Sequence, residues 1–516
     1  MFDILLRGAR LVDGTGNPWR WADVGVVDGK IAAVGRLSSL GGQRVIEVDG
    51  RVLAPGFIDA HVHLDTALLV EPDASPLLAQ GVTTAILGQD GLGFAPASQA
   101  TLRYMEEYVE AFNPPFSFQE DAEGLSVARY LTHFDKRVAV NVGYLLPHGT
   151  IRYNVLGAAD RLPDDSELAT MVRQIGEGME QGALGLSTGL EYIPAVFSDT
   201  AEITALCREV ARYDGLYVTH MRNYKKCSKE AVAEVCAIAQ GADVAAHISH
   251  FNLPARIGLP LIDAARGNGV DVTIENYPYL AGCTVLSYFL PGWVSEGSPR
   301  ETMARLADAE VRRRLEPALA AVDWSEVLFS YVPGETNRGL EGQRVAEAAV
   351  QAGKSVTDFV CDLLVATDLC VGIIQFHTER NEDDLQATMR HPAQLFGSDG
   401  IYRGQRAHPR GWGAFARVLA RYVREKQVLM LSDAIRRMSA HPATRYGLWD
   451  RGLVREGYAA DLVVFDPERI EDRATFQDSR QLAAGMDLVL VNGRVVWDEG
   501  RHTGEMAGRA LKRKPQ

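Results

Sequence analysis

The residue types that could do chemistry in this chain are His61, His63, Asp90, Tyr192, His220, His250 and Asp399. Each lies at the end of a short apolar run. His61 and His63 belong to HVHLD (61–65). In a strand, residues i and i+2 share a face, so both imidazoles can aim at one point and hold a divalent ion. Taken alone, the pair reads as readily as two hydrogen-bonded core histidines. His220 in YVTHMR and His250 in HISHF lie one strand–helix unit apart, so they end adjacent strands and can form a second cluster. His247 should face away and is read as structural. Asp399 in FGSDG can touch a metal and accept a proton from water. Alone it also reads as a helix N-cap. Glu275 could support a histidine ligand from behind, whereas Tyr277 and Tyr279 read as packing.

The elements that must position these residues alternate in type. Apolar runs at 57–65, 82–90, 138–149, 183–189, 216–222, 244–250, 272–279 and 395–400 are separated by helical patterns such as 164–182 and 228–241. Strand and helix in alternation imply parallel α/β architecture, and eight units match a (β/α)8 TIM-like barrel. A doubly wound open sheet is the alternative. In such a barrel, catalytic groups sit at the C-terminal ends of strands, where these residues fall. The stretch 284–350 between the seventh and eighth strands is too long for one helix and is read as an insertion, a lid or substrate wall. Residues 1–54 and 445–516 consist of short β segments with Asp-Gly and Asn-Gly turns. They are expected to form one small β-sandwich domain flanking the barrel at 55–444.

Composition narrows the partners. The chain is 47% apolar and 23% charged, with a formal net charge of −14. That is the composition of a globular protein, and its acidity argues against non-specific nucleic-acid and anionic-membrane binding. Six cysteines without a CxxC pair fit a reducing compartment. Asp3 and Arg7 interrupt the N-terminus before a signal-peptide core can form. No apolar run reaches membrane-spanning length. A cytoplasmic location is expected.

Together, HxH on strand one, histidines on strands five and six and aspartate on strand eight follow the metal-site order of the amidohydrolase superfamily. PGFIDAHVHLD, GVTTAILGQDG, GALGLSTGLEY, THMRN, ISH, YPY, GSDG, HPR, HPATRYGL, VREGYAADLVVFDP and VLVNGRVV resemble the N-acyl-D-amino-acid deacylase (D-aminoacylase) family, in order and over almost the whole chain. The resemblance implies metal ligation by His61, His63, Asp90, His220, His250 and Asp399. Asp90, in Gly88-Gln89-Asp90-Gly91, occupies the place of a family cysteine ligand. A carboxylate there is harder than a thiolate and can bridge two ions, favouring a binuclear centre or a metal such as manganese. Glu191 is a nearby alternative carboxylate. The family holds its substrate carboxylate with a tyrosine, an arginine and a lysine. Tyr192 and Arg410 match the first two, and Asn252 stands in the lysine's place. Arg222 or His377 could supply the missing charge.

The implied activity is metal-assisted amide hydrolysis with one or two divalent ions, zinc first. Asp399 takes a proton from the attacking water and returns it to the leaving nitrogen. The substrate implied is an N-acyl-D-amino acid. A cyclic amidase, a lactonase or a dipeptidase on the same barrel is the alternative, favoured by Asn252 and Asp90. A barrel without metal, acting as a scaffold, would have lost ligands that this chain retains.

Overall fold

The computed structural model describes residues 1–37, 39–118 and 124–513. Ser38 and residues 514–516 of the terminal ranges, and 119–123, lie outside the described residues. All eight expected strands form: Phe57–Asp59, Val82–Leu87, Asn141–Tyr144, Gly185–Gly189, Leu216–His220, Ala245–Ile248, Val272–Asn276 and Gln394–Phe396. The first three pair in parallel. Leu146–Pro147 continues the third run onto strand four, and parallel pairing then proceeds to strand eight. The ring closes where Ala60 N donates to Phe396 O at 3.3 Å and Asp399 N to His61 O at 2.7 Å. Gly400–Ile401 also pairs in parallel with Val62–His63. Strands two, four, five and seven are buried along their whole length. A parallel sheet covered on both faces needs that burial, and it explains their near-continuous apolar sequence.

The covering helices start where side chains can cap them. Asp165–Gln181 opens on a capping box in which Asp164 and Glu167 satisfy each other's backbone N–H groups. Thr200–Ala211 is capped by Asp199. Its Glu202 is buried and ion-paired to His148 at 2.8 Å and Arg152 at 3.1 Å. This ties the helix after strand four to His148–Leu156 after strand three.

The segment between strands seven and eight has its own antiparallel sheet. Gly372–Phe376 lies between Ala281–Val285 and Val327–Tyr331. The helices Pro299–Ala307, Ala309–Ala320 and Val356–Ala366 pack on it around Leu306, Leu315, Val360 and Ile373. The middle strand of this sheet comes last in sequence, ending at Phe376.

Strands from both ends of the chain share one nine-stranded sheet. Val52–Pro55, just before the first barrel strand, pairs antiparallel with Leu462–Phe465. Leu6, Val24, Leu53, Leu462 and Leu490 fill its apolar core. The last residues then strap the barrel. Val142 of strand three donates to Arg509 O at 2.9 Å and accepts from Leu511 N at 2.7 Å, and Asn492 Nδ2 donates to Asn141 Oδ1 at 2.7 Å. Among the described residues no helix is long and apolar enough to cross a membrane.

Candidate metal centre

Strand ends bring the expected residues together at one mouth of the barrel. His61, His63, Asp90 and Asp399 can converge on one point, and Asp90, His220 and His250 on another, with ligand atoms in each group within 4.8 Å of one another. Asp90 belongs to both groups. Its Oδ2 lies 3.6 Å from His61 Nε2, 3.5 Å from His63 Nε2, 3.8 Å from His220 Nδ1 and 3.5 Å from His250 Nε2. Its Oδ1 is buried without a hydrogen-bond partner. Such an oxygen is expensive to keep unless an ion completes it, and imidazole nitrogens with carboxylate oxygens form a donor set suited to zinc. The residues therefore fit a divalent ion.

The backbone is built to hold this arrangement. Asp90, His250 and Asp399 all adopt left-handed conformations, with φ of 55°, 30° and 50°, which L-residues enter at a cost. The Asp90 turn is pinned by Gly88 N donating to Asp65 Oδ1 at 3.1 Å and Gly91 N donating to Ser187 Oγ at 3.0 Å. Gly189 at the end of strand four leaves room for it, since a Cβ there would stand 2.1 Å from Asp90 O. Buried Asp59 accepts from Ser398 N at 2.8 Å and Ser398 Oγ at 2.5 Å, fixing the turn that carries Asp399. Burial pushes the Asp59 carboxyl up to about 7. Glu275, fully buried, accepts from His61 Nδ1 at 2.8 Å and His250 N at 2.6 Å. One carboxylate thus orients two of the imidazole-bearing residues and sets the His61 tautomer so that Nε2 faces Asp90.

The field of the site favours cations. Burial alone would lower the pKa of His61, but Asp90, Glu275 and Asp399 overcome it and hold it well above its ordinary value. His220 is likewise opposed by burial, yet Asp90 and Glu191 lift it to about 9. Burial would raise Asp399, but Arg410 and the imidazoles hold it below the usual carboxylate range. Arg410 Nη1 lies 2.8 Å from Asp399 Oδ2, and its guanidinium stacks over Tyr277 at 4.4 Å. Three carboxylates packed among four imidazoles make a pocket whose preferred guest is positive.

Other sequence candidates fall around this core. A cavity of about 370 Å³ is lined by His63, Asp90, His220, His250 and Asp399, and also by Tyr192 and Asn252. Tyr192 shares a hydrogen bond of 3.1 Å with Thr284 in the insertion. Glu191 accepts from His220 Nε2 at 2.8 Å and Tyr288 OH at 3.2 Å, so it backs His220 rather than joining Asp90. His247 bonds Thr273 Oγ1 at 2.7 Å, away from both groups. Arg222 is taken by Glu234 and by the carbonyls of Val196 and Ser198. His377 lines the cavity, but burial pushes its pKa down to about 3, so it carries no charge. The residue that sequence reasoning missed is Arg380. It lines the same cavity and donates through Nη1 to Asn252 Oδ1. A lone arginine in the loop FHTER carries no pattern, and its partner lies 128 positions earlier.

A closed parallel barrel with histidines and aspartates on strands one, two, five, six and eight defines a class, and the sequence comparison agrees. The chain belongs to the amidohydrolase family, whose model matches residues 44–497. Within that family it is similar to the D-aminoacylase of Alcaligenes xylosoxydans xylosoxydans, at 36% identity over 99% of this chain and 98% of that one. A solved structure concerning the functional role of the binuclear metal centre in D-aminoacylase superposes with a TM-score of 0.82, at 34% identity over 99% of this chain and 100% of that one. The N-acyl-D-glutamate deacylase of Bordetella bronchiseptica, complexed with zinc and a phosphonate mimic of the tetrahedral intermediate, superposes at 0.84, with 31% identity over 99% of each chain.

Proposed function

We propose that the protein is a metal-dependent amide hydrolase that converts an N-acyl-D-amino acid and water into a carboxylate and a D-amino acid. The observation that carries this reading is the single Asp90 oxygen set 3.5–3.8 Å from four imidazole nitrogens, beside an ionised Asp399. His61, His63, Asp90 and Asp399 would hold one ion and Asp90, His220 and His250 a second, zinc in each case. When bound, the metal supplies Lewis acidity, which makes water nucleophilic near neutral pH and polarises a carbonyl.

The chain's own residues supply the proton transfers and the positioning. Asp399 is held ionised by Arg410 at Oδ2, and its Oδ1, 3.3 Å from His63 Nε2, faces the metal groups, where it would accept the proton of the attacking water. The same atom then delivers that proton to the amide nitrogen, which leaves as an amine. Arg410 fixes the carboxylate plane through Oδ2, and Glu275 fixes the imidazole of His61. Tyr192 and Asn252 sit on the substrate wall, and Arg410 lies buried behind Asp399. The insertion contributes Tyr288 and Phe289 to this wall. The terminal sheet, taken as residues 1–54 and 445–516, is the second domain of a barrel at 55–444. Six unpaired cysteines support a cytoplasmic setting.

The test is hydrolysis before and after chelation, read as acetate release from N-acetyl-D-amino acids and their L-enantiomers and as ring-opened acid from cyclic amides and lactones. Turnover confined to the linear D-amides and lost with the metal supports the reading. Turnover indifferent to metal removal, or preference for ring amides or lactones, overturns it.

A further inference from the structure

Four arginines are buried among the described residues: Arg152, Arg380, Arg410 and Arg437. Three have a carboxylate close by, Glu202 at 3.1 Å, Asp399 at 2.8 Å and Asp433 at 2.8 Å. Arg380 is the exception. It is 4% exposed and makes no ion pair with any carboxylate among the described residues. Its two hydrogen-bond partners are neutral: Asn252 Oδ1, and Tyr279 O at 3.0 Å. Its Nε has no partner. A guanidinium cannot shed its charge to escape burial, and a buried uncompensated charge is costly. Such a group persists where an anion arrives from outside the chain.

The anion's place follows from the neighbours. Arg380 lines the cavity that holds Asp90, His220, His250 and Asp399, so a molecule hydrolysed there can reach it. Arg410 is already neutralised by Asp399. Lys225, also on the cavity, is exposed at the rim and solvated. Asn252 is tied at both ends. Its Oδ1 accepts from Arg380 and its Nδ2 donates to Tyr277 OH at 2.8 Å. It therefore holds the guanidinium in place through Nη1, with Tyr279 O on Nη2, and leaves Nε and the second hydrogen of each Nη for the guest.

We propose that Arg380, tethered by Asn252, receives the α-carboxylate of the substrate in the cavity beside the metal groups. This rests on the reading of the site as a hydrolase of N-acyl amino acids. Arg380 is a substrate-binding residue, and its effect falls on KM more than on kcat.

The experiment compares N-acetyl-D-leucine with N-acetyl-D-leucine amide by kcat/KM, and D-leucine with D-leucine amide by calorimetric Kd, in the metal-loaded full chain. In the unmodified protein the acid is expected to be preferred about 10- to 100-fold, the worth of a charge-assisted contact. R380Q should erase that preference through KM. N252D, isosteric and set against Nη1, neutralises Arg380 without removing it and should erase the preference too, which keeps the test open if R380Q fails to fold by circular dichroism. An acid-to-amide ratio unchanged from wild type in either folded variant overturns the proposal. Should the wild type hydrolyse neither N-acetyl compound, the hydrolase reading fails by itself. The Kd ratio of the free acid and amide then still decides for or against Arg380.

Discussion

Replacing Glu275 by glutamine isolates the electrostatic work of one carboxylate behind the metal groups. Glutamine keeps the shape and one acceptor oxygen, so the bonds from His61 Nδ1 and His250 N can both survive. What disappears is the negative charge 2.8 Å from the His61 ring. A hydrogen bond to a charged group is worth about 1.5–3 kcal/mol and a neutral one about 1 kcal/mol. The variant therefore loses about 1–2 kcal/mol of ligand polarisation, or about 5- to 30-fold in zinc affinity. The second oxygen, Oε2, has no hydrogen-bond partner. An amide NH2 in its place would be unsatisfied, adding about 1–3 kcal/mol of destabilisation to the fold. Competition for zinc against a chromogenic chelator reads the first quantity, and a denaturant midpoint reads the second. A zinc Kd within twofold of wild type in folded E275Q would refute the view that this carboxylate tunes the site.

Asp399→Asn removes the proton carrier and should lower kcat by about 10²- to 10⁴-fold while zinc remains bound, as metal analysis of the purified variant will show. Chelation should abolish turnover and lower Tm. Titrating zinc back should restore Tm in proportion to RT ln(1 + [Zn]/Kd); a Tm blind to zinc speaks against a native-state site. Gly189→Ala drives a Cβ to within 2.1 Å of Asp90 O, where backbone cannot yield, so the variant should bind substoichiometric zinc by elemental analysis. Glu202→Gln leaves Arg152 buried without its partner and should cost about 3–5 kcal/mol at pH 7. Burial would raise the Glu202 pKa, but His148 and Arg152 outweigh it and the net shift is downward. That stability is therefore complete above the unfolded carboxyl's pKa of about 4.3 and is lost as pH falls through the lower folded value. The gap in denaturant midpoint between wild type and E202Q should narrow as pH falls from 7 to 3, and a constant gap would contradict the assignment.

The parts of the molecule that repeat were readable from sequence. Eight apolar runs alternating with helical patterns specify the barrel, because burial on both faces leaves a continuous signature. His61, His63, His220, His250 and Asp399 follow as polar residues that interrupt it. Glu275 was legible for the same reason, as a charge inside a strand. Asp90 was different. Its sequence context marks a turn, and its place among four imidazoles depends on a left-handed backbone that only the fold imposes. The late middle strand of the insertion was hidden because antiparallel order does not follow chain order. Arg380 was hidden because its meaning is relational: a loop arginine is ordinary until the loop is folded over Asn252 and, among the described residues, no carboxylate forms an ion pair with it.

Sharing one sheet between residues 2–55 and 462–502 constrains the order in which the molecule can be made. Synthesis runs from the N-terminus, so Val52–Pro55 emerges long before Leu462–Phe465, the mate of its second edge, and that edge waits unpaired through most of the barrel. The waiting strand leads directly into the residues that carry His61 and His63. Biogenesis of the reactive centre is thus gated by the emergence of Leu462–Phe465. A nascent chain stalled short of residue 462 would present an exposed β edge for chaperones to shield and a histidine pair without its final anchor.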